Sequence, residues 1–127
     1  MPKHALLSAS GAHRWLECPP SARLEESFED RPSDSAKEGT LAHAIAEAKV
    51  RNMLIDPLPK RSFNKILKDF TNNSMYQKEM DALTDEYAEY IREIMLSYTQ
   101  KPYIAVEVKL NLSTYIPEGL GTADCII

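Results

Sequence analysis

Hydrophobic periodicity changes once along this chain, from helical spacing up to about residue 98 to strict alternation from residue 103, and that order limits the fold more than any single motif. Leu83, Tyr87, Tyr90, Ile91, Ile94 and Tyr98 recur at three- and four-residue intervals, which predicts a long helix over about 74–98 with this stripe in the core. Its other face, with Glu79, Asp81, Asp85, Glu86, Glu89 and Glu93, is expected to face water. Tyr103 to Leu110 then alternates, placing Ile104, Val106, Val108 and Leu110 on a buried side and Glu107 and Lys109 on a polar one. A turn through Ser113 to Gly119 leads into a second apolar strand ending Ala123-Asp124-Cys125-Ile126-Ile127, an antiparallel neighbour of the first. The fold class is therefore α+β, mainly helical over 1–100 with a β-hairpin over 101–127, read as one partial domain.

Upstream of the long helix, Ser8 to Cys18 reads as a short helix begun by a serine and stopped by Pro19 and Pro20, with Ala12, Trp15 and Leu16 on its core side. Residues 25–34 are acidic and turn-rich, a solvated connection. Ser35 with Glu38 has capping-box spacing, and either Ser35 or Thr40 is expected to start the next helix, because Gly39 weakens a continuous one. That helix runs to about Leu54 with Leu41, Ile45 and Ala48 on its apolar face. His43 and Glu47 share another face one turn apart, and alanines at 42, 44, 46 and 48 keep the helix slim. Residues 64–73 read as basic and weakly amphipathic. Lys60, Arg61, Lys65 and Lys68 form the largest positive cluster, a candidate phosphate-binding strip or simply a solvated face.

The net charge of −4 argues against a basic DNA coat, which needs many cations to displace counterions, but leaves room for a local strip. The two cysteines form no Cys-x-x-Cys pair, no secretory segment opens the chain, and no apolar run approaches the roughly 20 residues that span a bilayer. A cytoplasmic protein without a membrane anchor is the expectation. A zinc site from Cys18, Cys125 and histidines matches no familiar ligand spacing.

Taken singly, His43 with Glu47, Glu107 in a strand and Asp124 after a glycine turn each have an ordinary structural explanation. Taken together they supply what a magnesium or manganese ion requires: carboxylate oxygens, with an imidazole suited to manganese, from elements that fold onto one another.

Three ordered strings make the pattern specific: Leu7-Ser8-Ala9-Ser10 through Arg14-Trp15-Leu16-Glu17-Cys18-Pro19, then Glu38-Gly39-Thr40-Leu41-Ala42-His43, then Gly119-Leu120-Gly121-Thr122-Ala123-Asp124. In that order they resemble the N-terminal half of RecB-like nucleases of the PD-(D/E)XK superfamily, and within it small phage- or prophage-encoded exonucleases. The resemblance implies helices packed on the first antiparallel strands of a restriction-endonuclease-like core. It implies a metal-dependent deoxyribonuclease using Mg2+ or Mn2+, acting on DNA with a phage recombination protein as a further partner. It makes His43 and Asp124 metal ligands and leaves Glu47 and Glu107 supporting parts, while the positive cluster of Lys60, Arg61, Lys65 and Lys68 supplies the candidate DNA contacts. The next motif of such nucleases, Glu-x-Lys or Asp-x-Lys after the Gly-x-x-Asp hairpin, is expected beyond residue 127, so residues 1–127 alone are expected to be inactive. Glu107-Val108-Lys109 has the letters but precedes the hairpin aspartate. Some relatives hold an iron-sulfur cluster through a cysteine at the Cys18 position and three later ones. Only Cys125 follows here, so no cluster is expected and Cys18 is read as a buried structural thiol. Strand-edge pairing between copies through Cys125-Ile126-Ile127 is expected only as an artefact of a sheet cut at this point. The rival reading, from another class, is a non-catalytic helical module that recruits a phage recombination or packaging partner.

Overall fold

A computed structural model describes residues 5–127. Five α-helices, α1 (Ala12–Glu17), α2 (Pro20–Glu25), α3 (Asp34–Val50), α4 (Lys60–Thr71) and α5 (Lys78–Leu96), precede two strands, β1 (Ala105–Asn111) and β2 (Leu120–Ile126). The strands pair as a two-stranded antiparallel sheet, closed where the Leu112 amide donates to the Gly119 carbonyl at 2.8 Å. The α+β class and the order of elements follow the sequence reading. The residues fall into two compact units, the chain up to Arg31 with Val108–Ala123, and Pro32–Glu107 with Asp124–Ile127.

In the first unit the two prolines end α1 and also begin α2, because a proline at the first helical position loses no hydrogen bond and already has helical φ. Ser8 accepts from the Gly11 amide through Oγ at 3.1 Å, and its carbonyl accepts from the Trp15 indole at 2.8 Å. Trp15 is accordingly half-buried, but Leu16 and Cys18 are exposed, against the expectation of a core leucine and a buried thiol. Six residues make fewer than two turns, and none of the six is buried. Gly119 is needed at the hairpin turn, since a Cβ there would stand 2.8 Å from the Ile116 carbonyl oxygen.

The second unit is organised by α3. Its start lies earlier than either sequence candidate: Ser33 is the N-cap, its Oγ accepting from the Ala36 amide at 3.1 Å. The helix then runs unbroken through Gly39. Beyond Val50 the backbone widens into a π-helical turn, Arg51–Ile55, marked by the Asp56 amide donating to the Arg51 carbonyl at 2.7 Å. Two apolar clusters flank α3. Leu41 and Ile45 pack with Met80, Phe70, Met75 and Tyr76. Val50, which is fully buried, packs with Ala88, Ile91, Met95 and Val106, and with Leu54, Ile55, Ile104, Tyr87 and Cys125 around them.

Two helices differ from their sequence reading. Residues 60–71 form a regular helix, and α4 is strongly amphipathic: Phe63, Ile66, Leu67 and Phe70 are half-buried while Lys60, Arg61, Lys65 and Lys68 are exposed. On α5 the buried stripe is Met80, Thr84, Ala88, Ile91 and Met95, whereas Leu83, Tyr90 and Tyr98 are exposed. The reason is a buried cation. Lys49 on α3 is 4% exposed, and its Nζ donates to the Asp81 carbonyl and Oδ1 at 2.8 Å and pairs with Asp85 Oδ1 at 2.7 Å. An ammonium taken out of water is tolerated only when paired and hydrogen-bonded, so α5 is turned with its Asp81–Asp85 edge toward α3. Small residues, Thr84 and Ala88, fill the contact. The Thr84 hydroxyl is satisfied by the Met80 carbonyl at 2.6 Å.

Removing the carboxylates is expected to cost more than removing the lysine. Asp81→Asn with Asp85→Asn strands a buried charge and should lower unfolding free energy by about 3 kcal/mol or more, while Lys49→Met keeps the stem and leaves two solvated carboxylates, within about 1 kcal/mol of the parent. Urea denaturation measures both. Gly39→Ala should stabilise by about 0.5–1 kcal/mol in the same assay, because a methyl group there meets no atom within 4 Å.

Candidate metal centre

The face of α3 carrying Ala42, Ala46 and Val50 is covered by the α5 residues Leu83, Thr84 and Tyr87 and by Val106 of β1, leaving a cavity of about 200 Å³. Its walls are apolar because the alanines present only methyl groups. Its rim is polar: His43 and Glu47 from α3, Glu107 from β1 and Asp124 from β2. Sequence spacing puts the first two on one helix face and the last on the hairpin, and the fold brings His43 and Asp124 together.

His43 Nδ1 stands 3.4 Å from Asp124 Oδ1 and 3.7 Å from Glu107 Oε1. One donor atom from each of the three residues lies within 4.8 Å of the other two. Among the described residues none of the three groups makes a side-chain hydrogen bond, and the two carboxylates meet the imidazole only through these contacts. A divalent cation bonded at about 2.0–2.6 Å holds neighbouring donors about 3–4 Å apart, and these separations fit. His43 and Asp124 are exposed and Glu107 half-buried, which leaves one side open for water or substrate.

Glu107 holds a fuller position than the supporting part expected of it. Simple alternation puts its side chain opposite Val106, but its φ is 51°, a left-handed conformation that costs a non-glycine residue about 1 kcal/mol or more. That kink departs from regular strand geometry at the residue whose carboxylate meets His43. Glu47 differs in the other direction. Its carboxylate accepts from Arg51 Nε at 2.9 Å, one turn on, and so lines the cavity as half of an ion pair instead of orienting His43.

Tyr87, whose spacing predicts a core position, also lines this cavity. Burial, and then the negative charge of Cys125, Asp124 and Glu107, push its phenol above the ordinary range, so it stands there as a neutral hydroxyl. Cys125 is pushed up likewise, by burial first and then by Asp124. No signal in the sequence marked Tyr87, because its spacing is that of a core stripe.

A family profile described as "Protein of unknown function (DUF2800)" matches residues 4–127. The chain belongs to this family. No solved structure matches it. Among the described residues no helix is long and apolar enough to cross a membrane.

A thiol whose neutral form is favoured ionises only as pH rises past the usual cysteine range. Iodoacetamide should therefore label exposed Cys18 first and reach Cys125 with a rate that climbs at higher pH. Asp124→Asn removes the nearby negative charge and should shift that rate profile to lower pH, read by peptide mass spectrometry of each cysteine.

Proposed function

We propose that this chain carries the metal-binding part of a divalent-cation-dependent deoxyribonuclease, with His43, Glu107 and Asp124 as ligands of one Mg2+ or Mn2+ ion. The observation that carries the proposal is the convergence of an imidazole and two carboxylates, from a helix and both strands of a hairpin, with one donor atom of each within 4.8 Å of the others. Facing carboxylates repel, and an arrangement that keeps them adjacent and partly open is stabilised by a cation. The mixed nitrogen and oxygen donor set favours manganese over magnesium in affinity.

A bound ion of this kind polarises a phosphodiester and lowers the pKa of its water. His43 and Asp124 would fix the position of that charge, and Glu107, half-buried and set by its backbone kink, would supply the least exposed donor. Apolar walls beside them exclude water from one side of the site. Tyr87 offers a neutral hydroxyl donor within the same cavity. The resemblance of the three sequence strings to RecB-like nucleases supports DNA as the substrate and an exonuclease as the class. It assigns proton handling to a lysine that no residue of 1–127 supplies at the matching place.

Isothermal titration of the 127-residue chain with MnCl2 should show one site. His43→Ala, Glu107→Gln and Asp124→Ala should each weaken it by more than about 10-fold, and weaken degradation of linear DNA by the intact gene product by orders of magnitude. Binding should also fall in acid, where protons compete for the same donors. Manganese affinity unchanged in all three variants would sink the proposal and favour a helical interaction module.

A further inference from the structure

We infer that the outward face of α4 is a DNA-backbone anchor separate from the metal centre. Choosing DNA as its ligand rests on the reading above, but the site itself is a different surface. Lys60, Arg61, Lys65 and Lys68 fall within about 140° of one another at 100° per residue, opposite the apolar stripe of Phe63, Ile66, Leu67 and Phe70. All four cations are exposed. Among the described residues none makes an ion pair, including with Asp69, the one acidic residue of the helix. Among the described residues each other arginine, at positions 14, 23, 31, 51 and 92, holds a carboxylate, whereas Lys78, Lys101 and Lys109 stand singly elsewhere, so what sets α4 apart is four such cations on one helix face. In a protein of net charge −4, a helix with four unneutralised cations on one side is a field shaped for a polyanion.

Its placement excludes the metal cavity as the same site. The apolar stripe of α4 meets α3 through Phe70 beside Leu41 and Ile45. His43 stands about 200° around α3 from Leu41, and the cavity residues Ala42, Ala46 and Val50 lie on that far side. The body of α3, about 10 Å across, separates the two surfaces. The four cations span about 12 Å of helix, and a duplex carries one charge per about 1.7 Å of its axis, so several phosphates face the strip at once. A duplex fits better than an acidic peptide because its charges are fixed at that density, whereas a peptide pays the entropy of ordering.

Fluorescence anisotropy of a labelled 30-base-pair duplex, with the full chain in EDTA, tests this. Four phosphate contacts predict a log–log salt slope of about −3.6, hence a loss of roughly 100-fold in affinity between 50 and 200 mM NaCl. Replacing all four with glutamine should bring the slope near zero, and Lys65→Gln with Lys68→Gln should remove about half of it. Circular dichroism melts check that the helix persists. His43→Ala with Asp124→Ala should leave the slope as it is, and the four-glutamine variant should leave manganese titration as it is, so the two readings fail separately. A slope unchanged in the glutamine variants overturns the anchor. So does parent protein that ignores duplex yet binds polyglutamate.

Discussion

A single buried ammonium sets the geometry of the second unit. Lys49 leaves water at the α3–α5 contact and must be met there by Asp81 and Asp85, and this fixes the rotation of α5 about its own axis. Once that rotation is set, Met80, Thr84, Ala88, Ile91 and Met95 form the contact, and Leu83, Thr84 and Tyr87 come to the edge of the alanine face of α3. The cavity beside His43 is a consequence of that choice. A more apolar contact, using Leu83 and Tyr90, would have turned this edge elsewhere.

The candidate centre has the opposite character, because its groups are gathered without being satisfied. Most polar side chains of the chain are locally settled: Ser33 caps α3, Thr84 bonds back along α5, Glu47 holds Arg51. His43, Glu107 and Asp124 meet only one another, with no hydrogen bond among the described residues, and Glu107 has a left-handed backbone within a strand. Strained backbone and clustered titratable groups thus lie in one place, beside a small apolar cavity.

Surface electrostatics divide the second unit in a comparable way. Acidic groups line the outside of α5, and cations the outside of α4, each on helices whose inner faces are ordinary core. Lys49 is the exception that connects to the acidic edge from within. Net charge conceals this division, since −4 for the whole chain says nothing about a helix that is positive on one side.

The type and order of the elements, the presence of His43 on a slim helix and of Asp124 on the hairpin were legible from the sequence, because periodicity and turn residues are local properties of the chain. For α4, read as a weakly amphipathic piece of uncertain structure, composition singled out the four cations but not the regular helix that carries them. Which stripe of α5 is buried, that Lys49 is inside, that Glu47 turns to Arg51 and that Glu107 stands as near to His43 as Asp124 does were settled only by tertiary structure. Each depends on a partner distant in sequence or on a backbone angle imposed by the paired strand, and a long-range partner outweighs local preference wherever a charge must be buried or a strand must bend.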